Sequence, residues 1–382
     1  MKTLGMFFTR GVTLEKWVSS GLFEREVLIY HSHLKSKYFN KIYWFTYGYN
    51  DIKVAEDLYS KNKLSKKIEI VPYTSWLKIF GWRSSLLYSF LMPFLHFKKI
   101  SDCSLLKTNQ MDGSFSPLIF NLFSKRPLYV RTGYTLSRIL NKIKSRYSLR
   151  RILGSINEYF AFKYSSVSSV TSDYDKNYII KKLGVKVKPP LVIGNYIDVH
   201  KFSPAQVSNL SENSILFIGR LSPKKNLENA ILASKKAGLT LDIIGQGPEL
   251  DKLKLLVKKS KSKVRWLGLF NNDELPQILN KYRYFILPSY WEGLPKSLLE
   301  AMSTGLICVG NNTTGINEII EDNISGFLSK SSDSNSIYEA IIRAKRCNHK
   351  KISKSARLTI QNKYSLEAIV KLEQSIFDEL LN

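Results

Sequence analysis

The apolar positions of this chain fall into short continuous runs separated by longer stretches of helical spacing. In the second half the alternation is regular. SILFIG (214–219), TLDIIG (240–245), VRWLG (264–268), the run from Tyr284 to Leu287, LICVG (306–310) and GFL (326–328) have strand length. Between them LENAILASKKAG, ELDKLKLLVKK, the segment after Pro295 and INEIIED repeat their apolar residues at helical intervals. Strands and helices in strict alternation predict an α/β unit with a parallel, doubly wound sheet. The first half repeats the pattern less cleanly, with LGMFFT (4–9), VLIYHSH (27–33), IYWFTYG (42–48), SLLKTNQ (104–110), PLYVRTG (127–133) and SSVSSVTS (165–172) read as strands. At 382 residues the chain exceeds one typical core. The proline-bearing VKPPLVIGNYIDVHKFSP (187–204) reads as the linker between two domains. SLEAIVKLEQSIFDELL (365–381) is an amphipathic helix beyond the second unit, long enough to reach the other domain. The expected division is therefore 1–195 with the helix 365–382, and 196–364.

The most informative junction is YFILPSYWEGLPKSLLEAM (284–302), where an apolar run passes through a polar turn into a helix expected over 295–304. Pro295 suits the first helical position, and Gly305 suits the left-handed position that closes the helix. Glu292 precedes the helix N-terminus, and Glu300 lies inside the helix on the side away from Leu298 and Met302. A helix start offers unpaired N–H groups to phosphate, and carboxylates accept hydrogen bonds from sugar hydroxyls, so the pairing points to a nucleotide sugar. The alternative is that Glu292 only complements the helix dipole and Glu300 is solvated. Two further loops end strands of the same sheet. In GRLSPKKN, Gly219 closes a strand and Arg220 and Lys225 are placed to clamp a diphosphate. In IIGQGPEL, Gly245 and Gly247 precede a helix without completing a dinucleotide fingerprint, because Leu250 occupies the third glycine's place. Gly11 follows the first strand, where a backbone can approach a ligand closely.

Charge adds a second theme. The net charge of +27 is concentrated in residues 1–200, with 32 Lys+Arg against 13 Asp+Glu (+19), while the remainder holds 26 against 18 (+8). Nucleic acid and anionic membrane are both candidate partners for such a half. Residues 76–99, WLKIFGWRSSLLYSFLMPFLHFKK, are the most aromatic segment; Lys78, Arg83, the serines and Pro93 argue against a membrane span. An interfacial helix and a buried helix pair are the competing readings, with Trp76 and Phe80 as the membrane-contact candidates. NKIKSRYSLRR (141–151) is strongly basic but lacks interleaved aromatics, which disfavours a nucleic-acid reader. Three dispersed cysteines, Cys103, Cys308 and Cys347, fit no disulfide framework and point to a reducing, cytoplasmic compartment. The N-terminal MKTLGMFFTRGVTLEKW reads as a first buried strand rather than a secretory signal.

Taken together, GNYIDVHKFSP, FIGRLSPKKN, IIGQGPELDKLK, WLGLF, PSYWEGLPKSLLEAM and TTGINEIIEDNISGFL, in that order over residues 194–328, resemble the retaining glycosyltransferases of the two-Rossmann-domain (GT-B) type, group-four family. The resemblance implies two Rossmann-like domains facing across a cleft, with the first half carrying acceptor specificity. Arg220 and Lys225 match the pair that neutralises the leaving diphosphate. Glu300 would hold the ribose, and Glu292 the transferred sugar with the backbone of Gly293 and Leu294. Gly11 would approach the phosphates with Gly219, Gly245 and Gly247 at the donor loops, and Leu269 and Phe270 would lie near the base. The family's N-terminal histidine has no clear counterpart, so Asn109, Gln110 and Asp112 stand as acceptor-side candidates. Asn226 replaces a common glycine, Asn317 a common proline and Tyr196 a common glycine. The triplet Asp173-Tyr174-Asp175 could hold a metal in some glycosyltransferases, but Asp173 reads here as a helix N-cap. The implied donor is a UDP- or GDP-sugar, used without metal or cofactor, and the acceptor a glycan or lipid-linked glycan of surface polysaccharide synthesis. Peripheral contact with the inner membrane face is part of this expectation, and nucleic-acid binding is not. A nucleotide-sugar epimerase or hydrolase, or a basic nucleic-acid-binding protein, are the alternatives.

Overall fold

The computed structural model describes residues 2–74, 76–77, 84–133, 149–184, 187–205 and 210–382. Residues 78–83 of the aromatic segment, with Phe80, and 141–148 of the basic stretch lie outside the described residues. The chain divides into two compact units, Met1–Ile193 with Val370–Asn382, and Gly194–Ile369. The boundaries thus fall two residues before the expected linker crossing and five residues into the terminal helix.

The first unit is built on seven parallel strands: β1 (Thr3–Phe7), β2 (Lys41–Phe45), β3 (Ile68–Val71), β4 (Leu105–Thr108), β5 (Leu128–Arg131), β6 (Val167–Val170) and β7 (Leu191–Val192). Their order, β3-β2-β1-β4-β5-β6-β7, reverses between β1 and β4, with Leu4 opposite both Ile42 and Leu105. Strands covered on both faces bury nearly every residue, which is why they read as continuous apolar runs rather than alternating ones. Among the covering helices are α1 (Leu28–Lys35), α2 (Ser84–Leu95), α3 (Phe115–Phe120) and α4 (Leu149–Tyr164).

Helix α1 corrects one expectation. VLIYHSH was expected to be a strand for its β-branched and aromatic content, yet it is helical, and its buried residues Ile29, Tyr30, His33 and Leu34 recur at helical intervals. Tertiary burial of that face outweighs a strand propensity that spans only ~1 kcal/mol. A second correction concerns the 173–183 helix. Its N-cap is Ser172, not Asp173: Ser172 Oγ accepts from the Asp175 N–H and donates to the Asp175 carboxylate at 2.9 Å. The expected capping role is thus filled one residue earlier, and Asp175 is committed to it.

The second unit has six parallel strands: β8 (Ser211–Ile218), β9 (Thr240–Ile244), β10 (Val264–Gly268), β11 (Tyr282–Leu287), β12 (Ile307–Asn311) and β13 (Phe327–Ser329), in the order β10-β9-β8-β11-β12-β13. Here the order reverses between β8 and β11. Helices α5 (Leu227–Lys236), α6 (Leu250–Ser260) and α7 (Lys296–Ser303) follow β8, β9 and β11. INEIIED, expected as a helix after β12, is a succession of turns: Ile319 bonds back to Ile316 and Ile320 to the same carbonyl, and the chain then turns left-handed at Asn323. The last helix, α8 (Leu366–Leu381), belongs to the first unit from Val370 onward. No helix among the described residues is long and apolar enough to cross a membrane.

Candidate functional site

In a doubly wound sheet the loops leaving the two strands at the reversal point diverge and open a crevice beyond the strand ends. In the second unit those loops are 219–226, after β8, and 288–295, after β11. The first makes a single 3₁₀ turn over Pro223–Lys225 and passes through a left-handed Asn226 (φ 54°) into α5. The second runs from Pro288 to Pro295, where α7 begins. The two are stitched by the backbone: the Tyr290 N–H donates to the Lys224 carbonyl at 2.9 Å, and the Glu292 N–H to Thr314 at 3.0 Å. Below them, Asn311 donates through Nδ2 to the Pro288 carbonyl at 2.5 Å and accepts from Ser329 Oγ at 2.7 Å.

This stitching brings Glu292 onto the lysine pair. Lys225 Nζ lies 2.5 Å from Glu292 Oε1 and Lys224 Nζ 3.2 Å from Oε2, with Lys225 and Glu292 both buried. Burial by itself would raise the Glu292 pKa, but Lys225 and then Lys224 override it and hold the carboxyl below its ordinary value. Burial lowers Lys225 against the attraction of Glu292. Lys224 also lies 4.6 Å from the centre of the Trp291 ring, a cation–π contact that fixes its stem beside the carboxylate. Neither Lys224 nor Trp291 was singled out from the sequence; the KK dipeptide in a strand-end loop was the available signal. Arg220, on the same loop, is exposed. Three cations thus stand on one loop against one carboxylate, a net positive field suited to a diphosphate.

Helix α7 supplies the second element. Pro295, in extended conformation (φ −74°, ψ 109°), is its N-cap rather than its first residue, and no side chain caps the helix start. Gly305 takes the left-handed conformation expected after the helix (φ 82°). Glu300 is buried, which removes the solvated alternative, and its carbonyl accepts from the Thr304 N–H and hydroxyl at 3.0 Å each. The Leu294 carbonyl accepts from Asn195 Nδ2 at 3.1 Å, so the Gly293-Leu294 turn is held from the start of the unit.

The glycines of the β9 loop have a packing reason. A Cβ on Gly245 (φ 149°) would lie 1.9 Å from the Gly219 carbonyl oxygen, and one on Gly247 2.1 Å from that of Leu221. The 245–249 segment lies flat against the 219–221 segment, with the Gly219 N–H donating to Ile244 and the Leu221 N–H to Gln246. Gly219, Gly245 and Gly247 are therefore adjacent, and backbone contact excludes side chains at Gly245 and Gly247, while the Phe217 ring crowds Gly219. Leu269 and Phe270, after the left-handed Gly268, are exposed beyond the end of β10.

The remaining candidates belong to the first unit. Gly11 is exposed and left-handed (φ 71°), and a Cβ there would sit in ordinary contact with Ser85 at 3.9 Å. The acceptor-side trio is more committed than its sequence implied. Asp112 is paired with Arg10 at 3.1 Å, and Gln110 Oε1 accepts from the Gly133 N–H at 2.7 Å. Asn109 is buried, with its N–H donated to the Phe7 carbonyl. The structure thus gives Gln110 and Asp112 positioning contacts within their own unit.

Residues 198–363 match the family model for glycosyl transferases, group 1. That match spans nearly the whole of the second unit, Gly194–Ile369. Among curated relatives, the chain is 31% identical over 249 residues to the Escherichia coli UDP-Gal:alpha-D-GlcNAc-diphosphoundecaprenol alpha-1,3-galactosyltransferase, covering 59% of this chain and 63% of the relative. It is 25% identical over 201 residues to the Bacillus anthracis N-acetyl-alpha-D-glucosaminyl L-malate synthase, covering 49% and 53%. The chain thus spans less than two thirds of the length of these two relatives. Over 99% of both chains it shares the fold of Anabaena HepE, solved with UDP and glucose, at a TM-score of 0.70 and 18% identity. The two doubly wound parallel-sheet units of the GT-B type expected from the sequence are the ones observed.

Proposed function

We propose that this protein is a retaining glycosyltransferase that moves a sugar from a UDP- or GDP-sugar to a glycan or lipid-linked acceptor in surface polysaccharide synthesis. The observation that carries the reading is the buried Lys225–Glu292 pair beside the start of α7, at the strand reversal of the group 1 domain. In this reading the bond between the sugar's anomeric carbon and the diphosphate breaks, the acceptor oxygen bonds to the same face of that carbon, and the acceptor proton passes to the departing diphosphate oxygen. Charge accumulates on the diphosphate as the bond breaks, and Arg220, Lys225 and the N–H groups of α7 stabilise it. Glu292, held ionised by its lysines, accepts hydrogen bonds from the transferred sugar, and Glu300 from the ribose. Leu269 and Phe270 flank the base. Protein cations fill the role a metal fills elsewhere, so no metal is required.

The lipid-linked acceptor is supported by the E. coli relative, whose name specifies a diphosphoundecaprenol substrate. Three free cysteines support a cytoplasmic location, and the basic first half supports peripheral contact with an anionic membrane.

A thermal-shift screen of UDP-, GDP- and ADP-sugars tests the reading. One nucleotide class should raise Tm, and sugar transfer with that donor should persist in EDTA. Absence of stabilisation by every donor would sink the proposal; donor breakdown without an acceptor, at the rate of transfer, would favour a hydrolase.

A further inference from the structure

Helix α4 buries Ala161 and Phe162 together with the polar Asn157 and Glu158, and exposes Ile152, Ile156 and Phe160, which recur every fourth residue along one face. The buried polar groups are satisfied: Asn157 accepts from Ser114 Oγ and donates to the Met111 carbonyl, and Glu158 pairs with Lys182 at 3.0 Å. An ordinary surface helix presents charged and polar residues on its outer face, where this one presents an apolar stripe. Its neighbours extend the apolar face. Helix α2 buries Tyr88 and Met92 but exposes Phe90 and Phe94, the latter 57% exposed. Just past α3, Leu122 and Phe123 are 77% and 67% exposed. The rings join across elements, Phe94 to Phe123 at 5.9 Å between centroids and Phe90 to Phe115 at 5.7 Å. Helix α3 packs against both α2 and α4, which sets these exposed side chains on neighbouring helices of one side of the sheet.

The exposed charge around this surface is mainly positive. Lys98, Lys125 and Lys163 are exposed on the same elements or directly after them. Of the acidic residues among the described positions of 84–164, Glu158 is buried against Lys182 and Asp112 is paired with Arg10, leaving Asp102 exposed. Contiguous exposed aromatic and aliphatic groups of this extent mark an interaction site, since water gains nothing from them. Phenylalanine and isoleucine on a helical face bordered by lysine match the interfacial layer of a bilayer with anionic headgroups, where rings enter the acyl boundary and ammonium groups meet phosphate.

We propose that the outward face of α2, α3 and α4 docks the protein on a bilayer containing anionic lipid. The inference rests on and deepens the proposed lipid-linked acceptor, and it extends the interfacial reading of residues 76–99 from Phe90 and Phe94 to Phe123 and Phe160.

The test is co-sedimentation with vesicles of phosphatidylcholine alone and with about 30% phosphatidylglycerol, for the full chain and for the triple variant Phe94→Ser, Phe123→Ser, Phe160→Ser. The three rings are largely solvent-exposed, so far-UV circular dichroism and Tm should be unchanged. Leu255→Ser, at an exposed position of the second unit, serves as a control. The unmodified chain should bind the anionic vesicles, the control should bind equally, and the triple variant at least about ten-fold more weakly. Failure of the unmodified chain to sediment, or equal binding by the triple variant, overturns the proposal. So does light scattering that finds a dimer which the triple variant dissociates, because the face would then be a self-interface. Donor-induced thermal shifts in the same variants separate the two readings. Vesicle binding without any donor response sinks the transferase assignment and leaves the surface intact; the reverse result sinks the surface alone.

Discussion

Asn226 shows how much one backbone angle can decide. It is left-handed (φ 54°), donates through Nδ2 to the Ser332 carbonyl at 2.8 Å, and turns the chain from Lys225 into α5. A left-handed residue is cheap only for glycine and, to a lesser degree, asparagine, which explains why glycine is common at this place in the resembling family. Asn226→Ala should therefore lose about 1–2 kcal/mol in denaturant titration, while Asn226→Gly should lose less despite discarding the same side-chain bonds. Equal losses would show that the side-chain bonds, not the angle, hold the turn. Lys225 and Glu292 set a second prediction. Lys225→Ala should lower kcat by about 10²–10³, as removal of one preorganised charge does elsewhere, with the fold retained. The pH profile gives the sign. In the unmodified protein Glu292 stays ionised below the ordinary carboxylate value, so the acid limb lies under pH 4.5, and buried Lys225 places the alkaline limb below 10.5. Without Lys225 the burial of Glu292 remains but its main attraction is gone, so the acid limb should move up toward neutrality. A limb that stays in place would show that Glu292 does not act in the reaction. Both glutamates and Lys225 were legible in the sequence because their spacing carries the motif. Lys224 and Trp291 were not, because their role depends on how two loops meet.

At the scale of elements, the terminal helix α8 is fastened to the first unit's sheet by a buried ionic cluster. Lys107, on β4, places Nζ 2.6 Å from both oxygens of Glu373, and His33 Nε2 lies 3.0 Å from Oε2, all three side chains being buried. Tyr30, Tyr129 and Phe377 surround the ammonium group at 5.5 to 5.7 Å. Burial would raise the Glu373 carboxyl, yet Lys107 and His33 bring it down to about 2. A depressed folded-state pKa stabilises fully above the unfolded value and loses that contribution as pH falls through the folded value. The anchor should therefore hold from neutrality down to about pH 4.5 and weaken progressively toward pH 2. Glu373→Gln leaves Lys107 buried without a counter-charge and should cost about 3–5 kcal/mol, measured by urea unfolding at pH 7. The deficit should shrink as pH is lowered, because the parent then loses the same pair; a constant deficit would assign the effect to packing. The sequence predicted the helix from its amphipathic period and its reach from its length. The cluster was invisible, since Lys107 lies in a strand read only for its apolar neighbours and its partner is 266 positions away. The misread VLIYHSH has a related cause: seven residues with both aromatic and β-branched content satisfy strand and helix templates alike, and only burial against the sheet chooses.

For the whole molecule, the alternation of strands and helices was enough to predict two parallel-sheet units, because the repeated strand–helix spacing survives a misread segment such as VLIYHSH. The net charge of +27 is a property of a different kind, since it fixes no fold and acts at long range. With +19 of it in the first 200 residues, the protein should bind any polyanion at low salt, and that behaviour must be separated from recognition. Binding driven by counterion release weakens by about 10³–10⁵ between 50 and 200 mM salt when 6–10 phosphates are contacted. Single-stranded DNA and RNA of mixed sequence should therefore show equal, salt-steep affinities in fluorescence anisotropy that vanish near physiological ionic strength. Donor binding at the buried Lys225–Glu292 ion pair and a helix start should change far less over the same range, because buried charges are screened weakly. Retention of one nucleic-acid sequence at 200 mM, above the others and above donor binding, would make the charge a recognition surface and return the nucleic-acid reading to first place.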